Sequence, residues 1–120
     1  MLNLDTHVLI HALEGSVRPA ERRLLSADRW GISAIVLWEI AKLHQIGRIA
    51  VGLDNPEMKR ALRTLHIWPL DQDVCQRSCE LDFRGDPADE LIAATSVVHG
   101  VPLLTRDRRI RRSRIVPLAR

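Results

Sequence analysis

Leu2-Asn3-Leu4-Asp5-Thr6-His7-Val8-Leu9-Ile10 is the stretch on which the reading of this chain turns. Leu2 to Asp5 is a short, mainly apolar run closed by an acid. Thr6 is placed to cap a following helix, whose apolar face runs through Leu9, Ile10 and Leu13 to a stop at Gly15. A strand that passes directly into a helix, with a carboxylate at the joint, is the building step of a parallel sheet covered by helices. The question is whether the step recurs.

It does. A helix is expected over Pro19 to Ala27, with Leu24 and Leu25 facing inward, and then a second strand over Trp30 to Ser33. Ser33 can cap a helix carrying Val36, Leu37, Ile40, Ala41, Leu43 and Ile46 on one side, with Gly47 as its stop. Pro56 opens a helix that reaches Leu65, followed by a short strand around His66 to Leu70. Asp71 or Asp73 starts the next helix, which carries Val74, Ser78 and Leu81. Gly85, Asp86 and Pro87 interrupt the pattern and open a helix from Ala88 to His99, stopped by Gly100. Val101 to Thr105 is an apolar strand, and Ile115 to Leu118 a last short one. The chain therefore reads as α/β, with a central parallel sheet of four to five short strands between helices. At 120 residues, with no repeat or low-complexity linker, it is one domain over 1–120 with a single core, burying roughly two-thirds of the surface its unfolded chain exposes.

Composition narrows the function classes. No apolar run reaches the roughly 20 residues a bilayer crossing needs, and residues 1–5 lead into a strand rather than a basic and then apolar leader. A soluble, cytoplasmic protein without a membrane partner is expected. Cys75 and Cys79 have no nearby histidine to complete a zinc set and read as small, partly buried helix residues. The net charge of +3 is carried almost wholly by arginine, since only Lys42 and Lys59 are lysines. Arginine's planar fork grips phosphate oxygens in pairs and stacks on bases. Arg106, Arg108, Arg109, Arg111, Arg112 and Arg114 crowd one C-terminal stretch, which leans towards RNA or DNA.

In open parallel sheets, ligands bind beyond the carboxyl ends of the strands. On that frame Asp5 ends the first strand, Asp107 lies just past the Val101 to Thr105 strand, Glu39 is in the helix after the second strand, and Asp89 is in the first turn of its own helix. Carboxylates gathered without a cation repel each other, by about 4 kcal/mol for a pair at ~4 Å and an effective dielectric of about 20. A hard divalent ion, Mg²⁺ or Mn²⁺, relieves that repulsion, takes oxygen ligands and keeps several waters. With a phosphodiester as substrate, such an ion supplies an activated water and a stabilised leaving oxygen.

Each acid also has a plainer role. Asp5 assists a helix cap, Glu39 sits on an exposed helix face, and Asp107 is a turn residue among arginines. Asp86-Pro87-Ala88-Asp89 has the spacing of an acidic cap followed by an acid in the first turn, which the helix dipole favours on its own. We assign Asp86 mainly to capping and Asp89 mainly to metal, with the reverse assignment left open.

Four segments together resemble the PIN-domain nucleases, across nearly the whole chain. Leu2-Asn3-Leu4-Asp5-Thr6-His7-Val8 is similar to that family's opening strand, and Ser33-Ala34-Ile35-Val36-Leu37-Trp38-Glu39-Ile40-Ala41 to its second motif. Asp86-Pro87-Ala88-Asp89-Glu90-Leu91-Ile92-Ala93-Ala94-Thr95 resembles the third, and Leu103-Leu104-Thr105-Arg106-Asp107 the fourth. The Trp-Glu and Asp-Pro-x-Asp forms look most like VapC toxins. Glu90 stands where related sequences often carry Arg, and Arg84-Gly85 where a His is often seen.

The resemblance implies a PIN-like three-layer α/β/α fold. It also implies an Mg²⁺- or Mn²⁺-dependent endoribonuclease whose catalytic and metal-binding acids are Asp5, Glu39, Asp89 and Asp107, with Thr6, Ser33, Asp86 and Thr105 in support. Arg106, Arg108, Arg109 and Arg112 are the candidate RNA contacts. A homodimer restrained by a VapB-like antitoxin is the expected assembly. The alternative is a non-catalytic RNA-binding module, but the chain has no tyrosine and only Phe83 and three tryptophans for base stacking. An aspartyl-phosphate enzyme fits poorly, because Asp5-Thr6-His7-Val8 lacks a second aspartate two residues on and no Gly-rich phosphate loop is present.

Overall fold

A computed structural model describes all 120 residues. The strands are β1 (Leu2–Leu4), β2 (Trp30–Ser33), β3 (His66–Trp68) and β4 (Leu103–Leu104), and they form one sheet in the order β3-β2-β1-β4. Every pairing is parallel: Leu2 opposes Trp30, Asn3 opposes both Gly31 and Leu103, and Gly31 opposes His66. Helices α1 (Thr6–Glu14) and α2 (Pro19–Ala27) connect β1 to β2, and α3 (Ala34–Gln45) and α4 (Pro56–Arg63) connect β2 to β3. The return to the far side of β1 runs through α5 (Gln72–Ser78) and α6 (Pro87–His99), and α7 (Arg108–Arg111) follows β4. The result is a three-layer α/β/α arrangement. The strand order reverses at β1, so the crevice at the carboxyl ends of β1 and β4 is the switch point where such sheets bind ligands.

Sixteen buried apolar residues form the core, with Leu4, Leu9, Ile32, Ile40, Ile92 and Leu103 wholly enclosed. Each contributes roughly 1.5–3 kcal/mol by leaving water. One buried polar side chain fixes the layers to each other: Asn3 Nδ2 donates to the Ile92 carbonyl (3.0 Å) and to Ser96 Oγ (2.9 Å), tying β1 to α6. Its Oδ1 is buried without a partner. Gly31 is required by a close approach, since a Cβ there would stand 2.6 Å from the Trp68 ring.

Several expectations change in detail. Asp5, not Thr6, is the cap of α1: its carboxylate accepts from Thr6 N, and Thr6 is the first helical residue. Asp71 caps α5, and Ser33 caps α3 by accepting from Ile35 N. Ile115 to Leu118 is no strand but a single bridge from Leu118 to Leu103, because Pro117 and Pro102 each lack the N–H a longer ladder needs. For the same reason β4 shrinks to Leu103–Leu104. Cys75 and Cys79 are both exposed, not partly buried: α5 buries only Val74, and these residues lie one and five positions on, off that face. Ile46 leaves the apolar face of α3 and is 63% exposed, since the helix ends at Gln45 and Gly47 turns the chain with φ +77°. No helix is long and apolar enough to cross a membrane.

Candidate active site

The short strands deliver their acids to one rim. Asp5 leaves β1 buried. Its Oδ1 accepts from Thr6 N at 2.8 Å and its Oδ2 from Thr105 Oγ1 at 2.5 Å, so the ends of β1 and β4 are stitched by one carboxylate. The Thr105 hydroxyl also accepts from Asp107 N at 3.0 Å, fixing the turn that carries Asp107. Asp107 Oδ1 accepts from Ile110 N at 3.0 Å and so caps α7. Thr6 Oγ1 donates to Glu39 Oε1, which links the first turn of α1 to the middle of α3. Thr6 and Thr105 thus each stand beside Asp5 and hold a second part of the rim.

Asp89 rises from the first turn of α6, half-buried. Burial first, and then the charges of Asp5, Glu39, Asp107 and Asp86, push its carboxyl up to about 7. Five acids from four separate segments are therefore close enough to feel one another. Burial also raises Asp5 and Glu39 above the usual carboxylate range, against the lowering effect of the threonine hydrogen bonds. Asp86 occupies the cap position of α6, yet its side chain makes no cap hydrogen bond. Its charge is instead felt by Asp89 and Glu39, which departs from the assignment of Asp86 to capping. Ser33 is buried and touches the site only indirectly, by starting the helix that carries Glu39.

No three His, Cys, Asp or Glu side chains are gathered at metal-holding distance. The inner oxygens of Asp5 and Glu39 are held by hydroxyls instead. The donor set still fits one kind of group: partly buried, mutually repelling oxygen anions suit a hard divalent cation that takes one or two carboxylates and fills its shell with water and phosphate oxygens.

The arginines divide. Arg106 forks onto Glu21 in α2, with Nε to Oε2 and Nη2 to Oε1 both at 2.7 Å. That pairing, foremost, holds the Glu21 carboxyl down at about 2. Arg109 Nη1 donates to the Arg84 carbonyl at 2.6 Å, and Arg111 Nη1 to the Thr105 carbonyl at 3.2 Å. Arg108 and Arg112 are exposed. Three participants escaped the sequence reading. Glu21 pairs across 85 residues and leaves no local signal. Asn3 announces itself only as an amide in an apolar strand. His7 is exposed beside Asp5 and Glu39, near enough for each to feel its charge.

Comparison with known proteins places this geometry. A family model described as the PIN domain matches residues 3–115. Ribonuclease VapC22 of Mycobacterium tuberculosis is 34% identical over 123 residues, covering 92% of this chain and 90% of that protein. Among solved structures, VapBC2 from Rickettsia felis, bound to a DNA fragment from its promoter, aligns with a TM-score of 0.74 at 19% identity over 99% of this chain and 98% of its own. A toxin-antitoxin complex from Klebsiella pneumoniae aligns with a TM-score of 0.72 at 23% identity over 99% and 97%. Carrying acids at the switch point of a four-stranded parallel sheet and matching that family along nearly its whole length, the chain belongs to the PIN-domain family and, within it, to the VapC-type proteins.

Proposed function

We propose that this chain is a divalent-metal-dependent endoribonuclease, hydrolysing RNA phosphodiester bonds and restrained by a VapB-like antitoxin. One observation carries the reading: Asp5, Glu39, Asp86, Asp89 and Asp107 share a single rim, where their mutual repulsion is borne by the fold. Such repulsion is costly to keep and is relieved by a cation. The name of the relative at 34% identity, a ribonuclease, supports the substrate class. The toxin-antitoxin complexes among its structural relatives support the partner.

Asp5, Glu39, Asp89 and Asp107 would hold Mg²⁺ or Mn²⁺, with Asp86 adding charge from the edge. When bound, the ion supplies Lewis-acid polarisation of the phosphodiester and acidification of a water. The chain's own residues do the positioning. Thr105 and Thr6 hold Asp5 and Glu39 in fixed directions by donating to them: Thr105 Oγ1 and Thr6 N take one oxygen each of Asp5, and Thr6 Oγ1 takes one oxygen of Glu39. Asp89, raised to about 7 by burial and by its neighbouring acids, is the carboxylate that would gain most from a cation on the rim. Exposed arginines near α7 neutralise the approaching strand. A homodimer is the proposed assembly.

Purified chain freed of antitoxin should degrade RNA with Mg²⁺ or Mn²⁺ and stop on addition of EDTA. Asp5→Asn and Asp89→Asn should each lower the rate at least 100-fold with the fold intact by circular dichroism. Full activity in both variants would refute the proposal.

A further inference from the structure

Behind the acid rim, between α2 and the turn from β4 into α7, lies an open cavity of about 310 Å³. Its wall includes Arg18, Glu21, Thr105, Arg106, Arg108 and Arg111. Four arginines and one carboxylate therefore line it. The carboxylate is already taken, because Glu21 receives both prongs of Arg106 at 2.7 Å. Arg111 is oriented by its bond to the Thr105 carbonyl. The guanidinium groups of Arg18 and Arg108 enter none of the chain's ion pairs. Like charges drawn around one cavity with a single counter-charge among them suit an anion from outside the chain.

Thr105 fixes where that anion stands relative to the chemistry. On the cavity side its carbonyl accepts from Arg111, and on the other its hydroxyl donates to Asp5. One residue thus separates a cationic cavity from an anionic rim. A polyanionic strand crossing the rim is repelled by the carboxylates, and a neighbouring phosphate seated among arginines offsets that repulsion.

We propose that this cavity is a phosphate subsite, in which Arg18, Arg108 and Arg111 seat an RNA backbone phosphate adjacent to the one cleaved. The Glu21–Arg106 pair serves as its rigid floor. The proposal rests on the nuclease reading above and assigns it a strand-positioning site. Of the four candidate RNA contacts it selects Arg108 and makes Arg106 structural, and it adds Arg111 from the same cluster and Arg18 from outside it.

The test uses single-stranded RNA that the unmodified chain cleaves in Mg²⁺, so that the cut position is known. Its linkages are neutralised one at a time as methylphosphonates. Binding is measured by fluorescence anisotropy to the slow Asp89→Asn protein, with and without Arg18→Ala and Arg108→Ala. The expected result is one linkage beside the cut whose neutralisation weakens binding about 3- to 10-fold, and only while both arginines are present. Their removal should flatten the slope of log affinity against log salt by roughly one, and Arg108→Lys should restore much of it.

If every neutralised linkage weakens both proteins equally, or the salt slope is unmoved, the subsite is overturned while cleavage by the parent keeps the nuclease reading. If the arginine changes weaken antitoxin binding and leave the RNA data alone, the cavity belongs to a protein carboxylate and the proposal again fails. If the parent cleaves no RNA with either metal, the nuclease reading fails first, and the subsite falls with it.

Discussion

The residues of the rim and the residues beside it carry opposite electrostatic debts, and the two have opposite signatures in pH. Asp89 is raised from an ordinary 3.8 to about 7 by burial and by its neighbouring acids. Its protonated form is favoured in the folded state. The stabilisation it brings is fully present below 3.8 and is lost as pH rises through about 7. In EDTA at pH 7.5, Asp89→Asn should therefore be more stable than the parent by about 1–3 kcal/mol in urea unfolding, and the gap should close towards pH 4. A variant that is destabilised at pH 7.5 would show that Asp89 has some unrecognised stabilising partner. Glu21 runs the other way. Arg106 holds it at about 2 against an ordinary 4.5, so its contribution is present above 4.5 and is lost as pH falls from there to about 2. Glu21→Gln should cost about 2 kcal/mol in urea unfolding at pH 7, with the difference shrinking below pH 4.5.

At the scale of elements, the site is built by anchoring helices to strand ends. Asn3 fastens β1 to α6 through Ile92 and Ser96, and α6 in turn sets the position of Asp89. Asn3→Ala should cost about 1–3 kcal/mol, because it leaves the buried Ser96 hydroxyl and Ile92 carbonyl short of a donor. It should also raise the Mg²⁺ concentration needed for half-maximal cleavage, while a change confined to stability would separate Asn3 from the site. The strand-to-helix steps were legible because their signals are local. The cap at Ser33, prolines at the starts of α2, α4 and α6, and glycines after α1 and α6 all act within a turn of the chain. The supposed strand at Ile115 to Leu118 has apolar residues of the right kind, but its edge pairing depends on which donors remain, and Pro117 removes one. The exposed cysteines show the same limit: periodicity names an apolar face only when a helix is long enough to have one, and α5 spans seven residues.

For the whole molecule, the order β3-β2-β1-β4 is what turns scattered acids into neighbours. That order was anticipated only as a class, a parallel sheet with ligands at its carboxyl edge. The convergence of Asp5, Glu39, Asp89 and Asp107 followed from it once the strands were placed. The Glu21–Arg106 pair and the wall of arginines behind Thr105 did not, since each joins segments whose proximity only the finished fold creates. A cation relieving the rim should stabilise the entire chain. At a hundred times its dissociation constant, Mg²⁺ should add about 2.7 kcal/mol to unfolding of the parent, and far less to Asp5→Asn. Equal stabilisation of both would place the ion elsewhere. The Thr105–Asp5 bond spans 100 residues, and β4 is the last of the four strands in chain order. A chain still being translated owns Asp5 but not yet Thr105 or Asp107. With 100 residues between them, Asp5 is made long before the hydroxyl that holds it, so the rim is assembled only once Thr105 has followed it out of the ribosome.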